Sequence, residues 1–186
     1  MSLTYVEASI LAAWALEKID PKHTRADKII DDITSGKIDA ITSTLAVMEV
    51  IDSIRRRVSE KTKWMGDPSS VDMAPVKQEI ERLINDFLDG LTALAIQKRM
   101  IWIDPESPVK KHFQDAQDVL LATFGSFHSD FKDFQNCYAY RGVGQYDVQH
   151  ALIAQSLSAN ELLTFDKGFR DLASNPKFSG FSFIVK

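Results

Sequence analysis

The chain has 186 residues, of which 45% are hydrophobic and 26% charged, so it can bury one sizeable core and is short enough for a single domain. Its apolar stretches are shorter than the roughly 20 residues that a membrane span needs, so we expect no membrane association. No signal peptide precedes the first strand, and Cys137 is a lone cysteine, so a cytoplasmic location is expected. The net charge of −4 argues against a broad basic surface that clamps nucleic acid.

The N-terminal segment predicts a strand followed by two helices. Residues 4–7 form the short strand, and Ser9 is a suitable N-cap for an apolar helix at 10–18. A second helix is expected from about Thr24 to Ser35, with Gly36 as the residue that ends it.

The central segment predicts a buried strand and then a helical insertion. The strand covers 37–42, and one of the hydroxyl residues at 42–44 caps the long helix that follows. The loop at 65–70 is the clearest in the chain, and 74–98 has helical periodicity with Gly90 as a break. The apolar stripe of this insertion, around 60–98, predicts packing against the same molecule or against a second copy in a homodimer.

The remaining predicted elements complete an alternation of strands and helices. They are strands at 100–103, 162–165 and 181–185, a helix at 109–124 and a helix that opens at Asp147. Alternation with right-handed crossovers predicts an α/β fold with three α/β/α layers and a central parallel sheet of about five strands. We expect one domain over 1–186 that carries the helical insertion.

Four acidic side chains stand at the ends of these elements. Glu7 follows the first strand, Glu49 lies early in a helix, Asp147 opens a late helix and Asp166 follows a late strand. The carboxyl ends of parallel strands meet at one edge of the sheet, where ligands bind. Acids gathered there repel one another unless a hard divalent cation neutralises them. The pattern therefore predicts Mg²⁺ or Mn²⁺ bound by these four residues, which are also the candidate catalytic residues.

Each acid also has an ordinary structural interpretation. Glu7 can be an exposed carboxylate at a strand end, Asp147 a helix N-terminal acid and Asp166 a turn aspartate. Glu49 lies in a run that is apolar on all sides, where an unpartnered Glu is costly, so the functional interpretation is favoured. Ser9 and Thr164 lie near the same edge and are candidates to hydrogen-bond a ligand carboxylate or a metal-bound water, or to act simply as caps.

Other chemistry has weaker support in the sequence. The histidines show no zinc-ligand spacing, although His150 lies three positions after Asp147 on one helix face. Glycine-rich nucleotide motifs and the Gly-x-Ser-x-Gly motif do not occur. A basic stripe at 53–63 is either a solvated helix face or a phosphate-binding surface. The candidates to position an RNA backbone are Arg55, Arg56, Lys61, Arg141 and Lys167.

The order and wording of these segments, best at 38–52 and 145–170, resemble the PIN domain, the fold of metal-dependent ribonucleases that includes the VapC-type toxins. The resemblance implies cleavage of single-stranded or structured RNA to 5′-phosphate and 3′-hydroxyl ends, with a toxin role and an antitoxin partner. The family normally has Asp where this chain has Glu7. Shortening Glu7 to Asp would restore the usual reach and is expected to preserve or raise cleavage if the other ligands are organised.

Two alternatives remain open at this point. The extra methylene of Glu7 moves its carboxylate by about 1.5 Å, and a misplacement near 1 Å can cost about a hundredfold in rate. That favours a PIN-like binding or scaffold protein with weakened catalysis. A phosphoryl-transfer or sugar-phosphate enzyme on an acidic edge is less favoured because no Asp-x-Asp follows the first strand.

Overall fold

The computed structural model describes residues 2–63, 73–103, 144–173 and 175–186. The elements in chain order are β1 (Leu3–Val6), α1 (Ala8–Ala15), α2 (His23–Thr34), β2 (Asp39–Ser43), α3 (Thr44–Lys63), α4 (Met73–Ile96), β3 (Met100–Ile103), α5 (Gln145–Ser156), β4 (Glu161–Thr164), α6 (Phe169–Leu172) and β5 (Ser182–Val185). The predicted loop at 65–70 and the predicted helix at 109–124 lie outside the described residues.

The five strands form one parallel sheet in the order β3-β2-β1-β4-β5. Tyr5 is in register with Ile41 of β2 on one side and with Leu162 of β4 on the other. The predicted α/β class is therefore confirmed. Strands β2 and β3 are added on one side of β1, and β4 and β5 are added on the other side. The topology therefore reverses between β1 and β4, whose carboxyl ends flank this point. Open parallel sheets bind their ligands at this point.

Helices cover both faces of the sheet because the strands alternate their side chains between two apolar clusters. Val6 faces the cluster formed with α1, α2, α3 and α4, whereas Tyr5 faces the cluster formed with α5 and α6. The layers are therefore α/β/α. Among the described helices, none has a stretch long and apolar enough to cross a membrane.

The insertion helix α4 packs onto α1 and α3 of the same molecule. Leu83, Phe87 and Leu91 are its buried contacts. Gly90 does not break the helix, as the sequence suggested, because α4 is continuous from Met73 to Ile96. Its missing side chain instead makes room for Trp14, whose Cη2 would lie 2.6 Å from a Cβ at position 90.

The starts of α1, α3 and α5 lie at the carboxyl edge of the sheet, since each helix runs opposite to the strands it connects. Ser43 Oγ accepts a hydrogen bond from Ala46 N (3.4 Å), so a hydroxyl residue does cap α3 as predicted. Ser9 is not the N-cap of α1: Glu7 has that position, and its side chain accepts from Ser9 N. The helix therefore begins two residues earlier than expected, directly after β1.

Candidate metal centre

Glu7 is buried directly after β1 and is anchored through one carboxylate oxygen. Its Oε2 accepts hydrogen bonds from Ser9 N (2.9 Å), from Ser9 Oγ and from Thr164 Oγ1 (2.8 Å). Backbone N–H groups of Phe165 and Asp166 donate in turn to the two hydroxyls, which fixes their orientation. With Oε2 satisfied by three donors, Oε1 is the oxygen left to face a ligand. Ser9 and Thr164 thus hold a candidate ligand carboxylate, the role considered for them from the sequence.

Glu49 lies in the second turn of α3, and 30% of its side chain is exposed. The apolar run around it is not buried on all sides, because Met48 is 55% exposed. Glu49 Oε2 contacts His150 Nε2 of α5 at 3.0 Å, and the same nitrogen lies 4.0 Å from Glu7 Oε1. One donor atom from each of these three residues lies within 4.8 Å of the others, which makes them a candidate metal-binding cluster.

His150 is completely buried, and its other ring nitrogen is also engaged. Tyr5 Oη lies 2.8 Å from His150 Nδ1, and Ser43 Oγ lies 2.7 Å from the same hydroxyl. Burial lowers the pKa of His150, but the hydrogen bond to Glu49 and the charges of Glu7, Glu49 and Asp147 raise it by more. Burial also raises the pKa of Tyr5 well above its usual value, so the phenol stays protonated.

Asp147 is in the first turn of α5, where its Oδ2 accepts from Gly144 N. Burial raises its pKa to about 7, and the negative charges of Asp166 and Glu7 act in the same direction. The Gly144 hydrogen bond and His150 oppose this rise. Asp147 therefore belongs electrostatically to the same acidic region, although the three-residue cluster does not include it.

Asp166 is half-buried two residues after β4 and makes an aspartate turn through Oδ1, which accepts from Gly168 N (2.7 Å). This is the ordinary structural role considered for it. Its charge also raises the pKa of Asp147. Asp166 likewise lies outside the cluster of three.

A cleft of about 790 Å³ lies along α3 and includes Glu49. It is lined by Arg55 and Arg56 and by Tyr146, whose side chain is 61% exposed at the start of α5. Two of the predicted RNA-binding residues therefore share a cleft with a candidate metal ligand. Lys61 and Lys167 are exposed but do not line this cleft, and Arg141 lies outside the described residues.

Sequence reasoning did not include His150, Tyr5, Ser43 or Tyr146 among the site residues. The spacing of three between Asp147 and His150 was the available signal for the histidine, because such residues share a helix face. Tyr5 and Ser43 carried no comparable signal, since their contacts join elements far apart in the chain.

Comparison of the chain with protein-family models gave no match, and no curated protein matched either.

Proposed function

We propose that this protein is a metal-dependent endoribonuclease of the PIN-like type that hydrolyses single-stranded or structured RNA. The observation that carries the proposal is the cluster of Glu7, Glu49 and His150 at the topological switch point of a parallel sheet. Asp147 and Asp166 add acidic charge beside it. A cytoplasmic location, a toxin role with an antitoxin partner and a homodimer belong to the same proposal.

In this proposal, one set of residues binds the metal ion and another set binds the RNA. A bound divalent ion supplies an acidified water and stabilises charge on the phosphate oxygens. Glu7 Oε1, Glu49 and His150 would hold that ion. Gly144 N donates to Oδ2 of Asp147, and among the described residues no hydrogen bond to Oδ1 is seen, so Oδ1 could accept a proton from an attacking water.

Substrate binding in this proposal relies on the cleft that includes Glu49. Arg55 and Arg56 can contact phosphate oxygens, and Tyr146 offers an exposed ring for stacking on an unpaired base. Bases are accessible for such stacking in single strands and loops, which favours those RNAs over continuous duplex.

A second candidate is a catalytically silent RNA-binding module. It is favoured by the direct contact of His150 with Glu49, because a protonated imidazole there would neutralise the acids without an ion. In that case the cluster is a structural ion pair, and the protein binds RNA through the cleft without cleaving it.

Cleavage of a mixed RNA pool with Mn²⁺ or Mg²⁺ separates the two candidates. Glu49→Gln keeps the size of the side chain but removes its charge, and we expect it to lower cleavage by about a hundredfold or more. Glu60→Gln, an exposed change on the same helix, is the matched control and should cleave like the wild type. Wild-type protein that binds RNA but cuts it with neither ion would leave the binding module; equal cleavage by Glu49→Gln would point to a contaminating nuclease.

A further inference from the structure

The sequence predicted a metal site made of carboxylate oxygens alone. In the structure, His150 adds an imidazole nitrogen to the cluster. Its imidazole is fully buried between Tyr5 and Glu49, with Nδ1 toward the tyrosine hydroxyl and Nε2 toward both glutamates. An imidazole in such a place can act as a counter-ion or as a ligand. Nε2 can bind an ion only if Nδ1 carries the hydrogen, so the contact between Nδ1 and the Tyr5 hydroxyl matters for this choice.

We propose that His150 Nε2 is a direct ligand of the bound ion, and that the site therefore selects a first-row transition-metal ion such as Mn²⁺ over Mg²⁺. This inference rests on the metal site of the proposed function and deepens it by naming the class of ion.

The spacing of the donor atoms fits a shared ion. Ligand atoms about 2.1 Å from an octahedral ion lie roughly 3.0 Å apart when adjacent and about 4.2 Å apart when opposite. His150 Nε2 is 3.0 Å from Glu49 Oε2 and 4.0 Å from Glu7 Oε1. All three donor atoms lie within 4.8 Å of one another, so a small inward movement of the partly exposed Glu49 would complete the arrangement.

The Tyr5 and Ser43 hydroxyls can accommodate the tautomer that a ligand requires. For Nε2 to present its lone pair, Nδ1 must carry the hydrogen and donate it to Tyr5 Oη. The Tyr5 hydroxyl then donates to Ser43 Oγ, 2.7 Å away. Ligating histidines usually have such a partner on their second nitrogen, and its removal typically lowers metal affinity about 10- to 100-fold.

The nitrogen discriminates between the two ions expected from the sequence. Mg²⁺ prefers oxygen ligands and gives up its waters reluctantly, whereas imidazole suits transition-metal ions. The flanking carboxylates of Glu7 and Glu49 are hard oxygen donors that Mn²⁺ also accepts. A mixed set of this kind therefore weakens the competition from Mg²⁺.

Mn²⁺ is a suitable probe because it is paramagnetic. Pulsed electron paramagnetic resonance on the intact chain with Mn²⁺ is expected to show magnetic coupling to an imidazole nitrogen. Competition with Mg²⁺, followed by the free Mn²⁺ signal, should show Mn²⁺ bound about tenfold or more tightly. Bound Mn²⁺ without nitrogen coupling, or equal affinity for the two ions, would overturn the inference.

Substitutions test whether the nitrogen coupled to Mn²⁺ belongs to His150. His150→Gln should abolish the coupling, whereas His23→Gln on α2 is the matched control and should keep it. Tyr5→Phe keeps the imidazole and should weaken Mn²⁺ binding about 10- to 100-fold, so it tests the inference even if His150→Gln does not fold. Coupling that persists in a folded His150→Gln protein, or unchanged affinity in Tyr5→Phe, would count against His150 as the positioned ligand.

The outcomes separate this inference from the ribonuclease proposal. Nitrogen coupling without RNA cleavage would support His150 as a ligand and refute the ribonuclease. Cleavage by a protein whose bound Mn²⁺ lacks nitrogen coupling would do the reverse. Failure to bind Mn²⁺ at millimolar concentration would overturn both.

Discussion

Tyr5 and His150 are joined by a buried hydrogen bond of 2.8 Å between Oη and Nδ1, although they lie 145 positions apart in the chain. The contact ties the central strand β1 to helix α5 through the face of the sheet that α5 covers. Because both groups are buried, neither can replace its partner with bulk water, and the bond stabilises the fold as well as orienting the imidazole.

Tyr5→Phe should lower the free energy of unfolding by about 1–3 kcal/mol, because it leaves His150 Nδ1 and Ser43 Oγ without this partner. Urea unfolding followed by circular dichroism in the presence of a chelator measures the effect. Tyr146→Phe removes the same atom from an exposed side chain and should change stability by less than about 0.5 kcal/mol. Equal effects of the two substitutions would contradict a special role for the buried bond.

Asp147 should make the metal-free protein less stable as the pH rises toward neutrality. Its pKa is about 7 in the folded protein and about 3.9 in an unfolded chain, so the unfolded state releases this proton first. Its contribution to stability is therefore complete below about pH 4 and is lost progressively up to about pH 7.

Urea unfolding in a chelator at several pH values tests this sign. Asp147→Asn should remove roughly 2–4 kcal/mol of the loss in stability between about pH 4 and pH 7, whereas Asp89→Asn, at an exposed position of α4, should leave the pH profile of the wild type unchanged. Identical profiles for the wild type and Asp147→Asn would show that burial does not hold this carboxyl in its neutral form.

The contacts of Glu7 change the expectation for Glu7→Asp. The sequence suggests that Asp restores the reach that PIN domains usually have. In the structure, the length of Glu7 lets Oε2 accept from Ser9 and Thr164 while Oε1 faces His150. An aspartate about 1.5 Å shorter cannot keep both, so we expect metal affinity and cleavage to fall about tenfold or more.

Isothermal titration with Mn²⁺ beside the cleavage assay tests this prediction. Glu7→Gln keeps the length but loses the charge, so it should retain the fold and bind the ion more weakly than the wild type. Glu7→Asp protein that binds and cleaves at least as well as the wild type would restore the expectation from the sequence.

The sequence predicted that Glu7, Glu49, Asp147 and Asp166 meet at one edge of the sheet, because residues after a strand or early in a helix share that edge in a parallel α/β fold. The structure brings Glu7 and Glu49 together with His150, and Asp147 and Asp166 lie outside this cluster. Element alternation likewise predicted the layers, and no strand end differs from its predicted position by more than two residues. The role of His150 depends on Tyr5 and Ser43, which local pattern could not bring together. The sequence also suggested a helix break at Gly90. Periodicity within α4 could not show that Trp14 of another helix packs against this position.

Gly90→Ala should destabilise the protein even though alanine is the better helix former. The new Cβ would lie 2.6 Å from Trp14 Cη2 and 3.1 Å from Cζ2. Trp14 packs edge-on against Phe87 with ring centroids 6.0 Å apart, so a shift of its indole away from position 90 would disturb this contact. An overpacking cost of about 1–3 kcal/mol exceeds the helix-propensity gain of about 1 kcal/mol.

Thermal and urea unfolding of Gly90→Ala check that balance. Ala93→Gly, at an exposed position of the same helix, measures the propensity term alone and should cost about 1 kcal/mol. A Gly90→Ala protein more stable than the wild type would show that Trp14 moves aside freely.

Tyr146 should contribute to RNA affinity through stacking. Its ring is 61% exposed in a cleft that also contains Glu49, Arg55 and Arg56, so a base held there would lie beside both the candidate metal ligand and two cations that we propose contact phosphate. Stacking on an aromatic side chain contributes about 1–3 kcal/mol per base, so Tyr146→Ala should weaken binding by roughly 5- to 150-fold.

Fluorescence anisotropy with a short labelled single-stranded RNA in a chelator measures this affinity without cleavage. Tyr146→Phe keeps the ring and should bind within about twofold of the wild type, because stacking needs the aromatic face rather than the hydroxyl. Ile96→Ala removes a 76% exposed apolar side chain that does not line the cleft, and RNA affinity should not change. If Tyr146→Ala also binds like the wild type, the base does not stack on Tyr146; if binding is lost instead in Arg56→Ala alone, the cleft holds RNA through its phosphates.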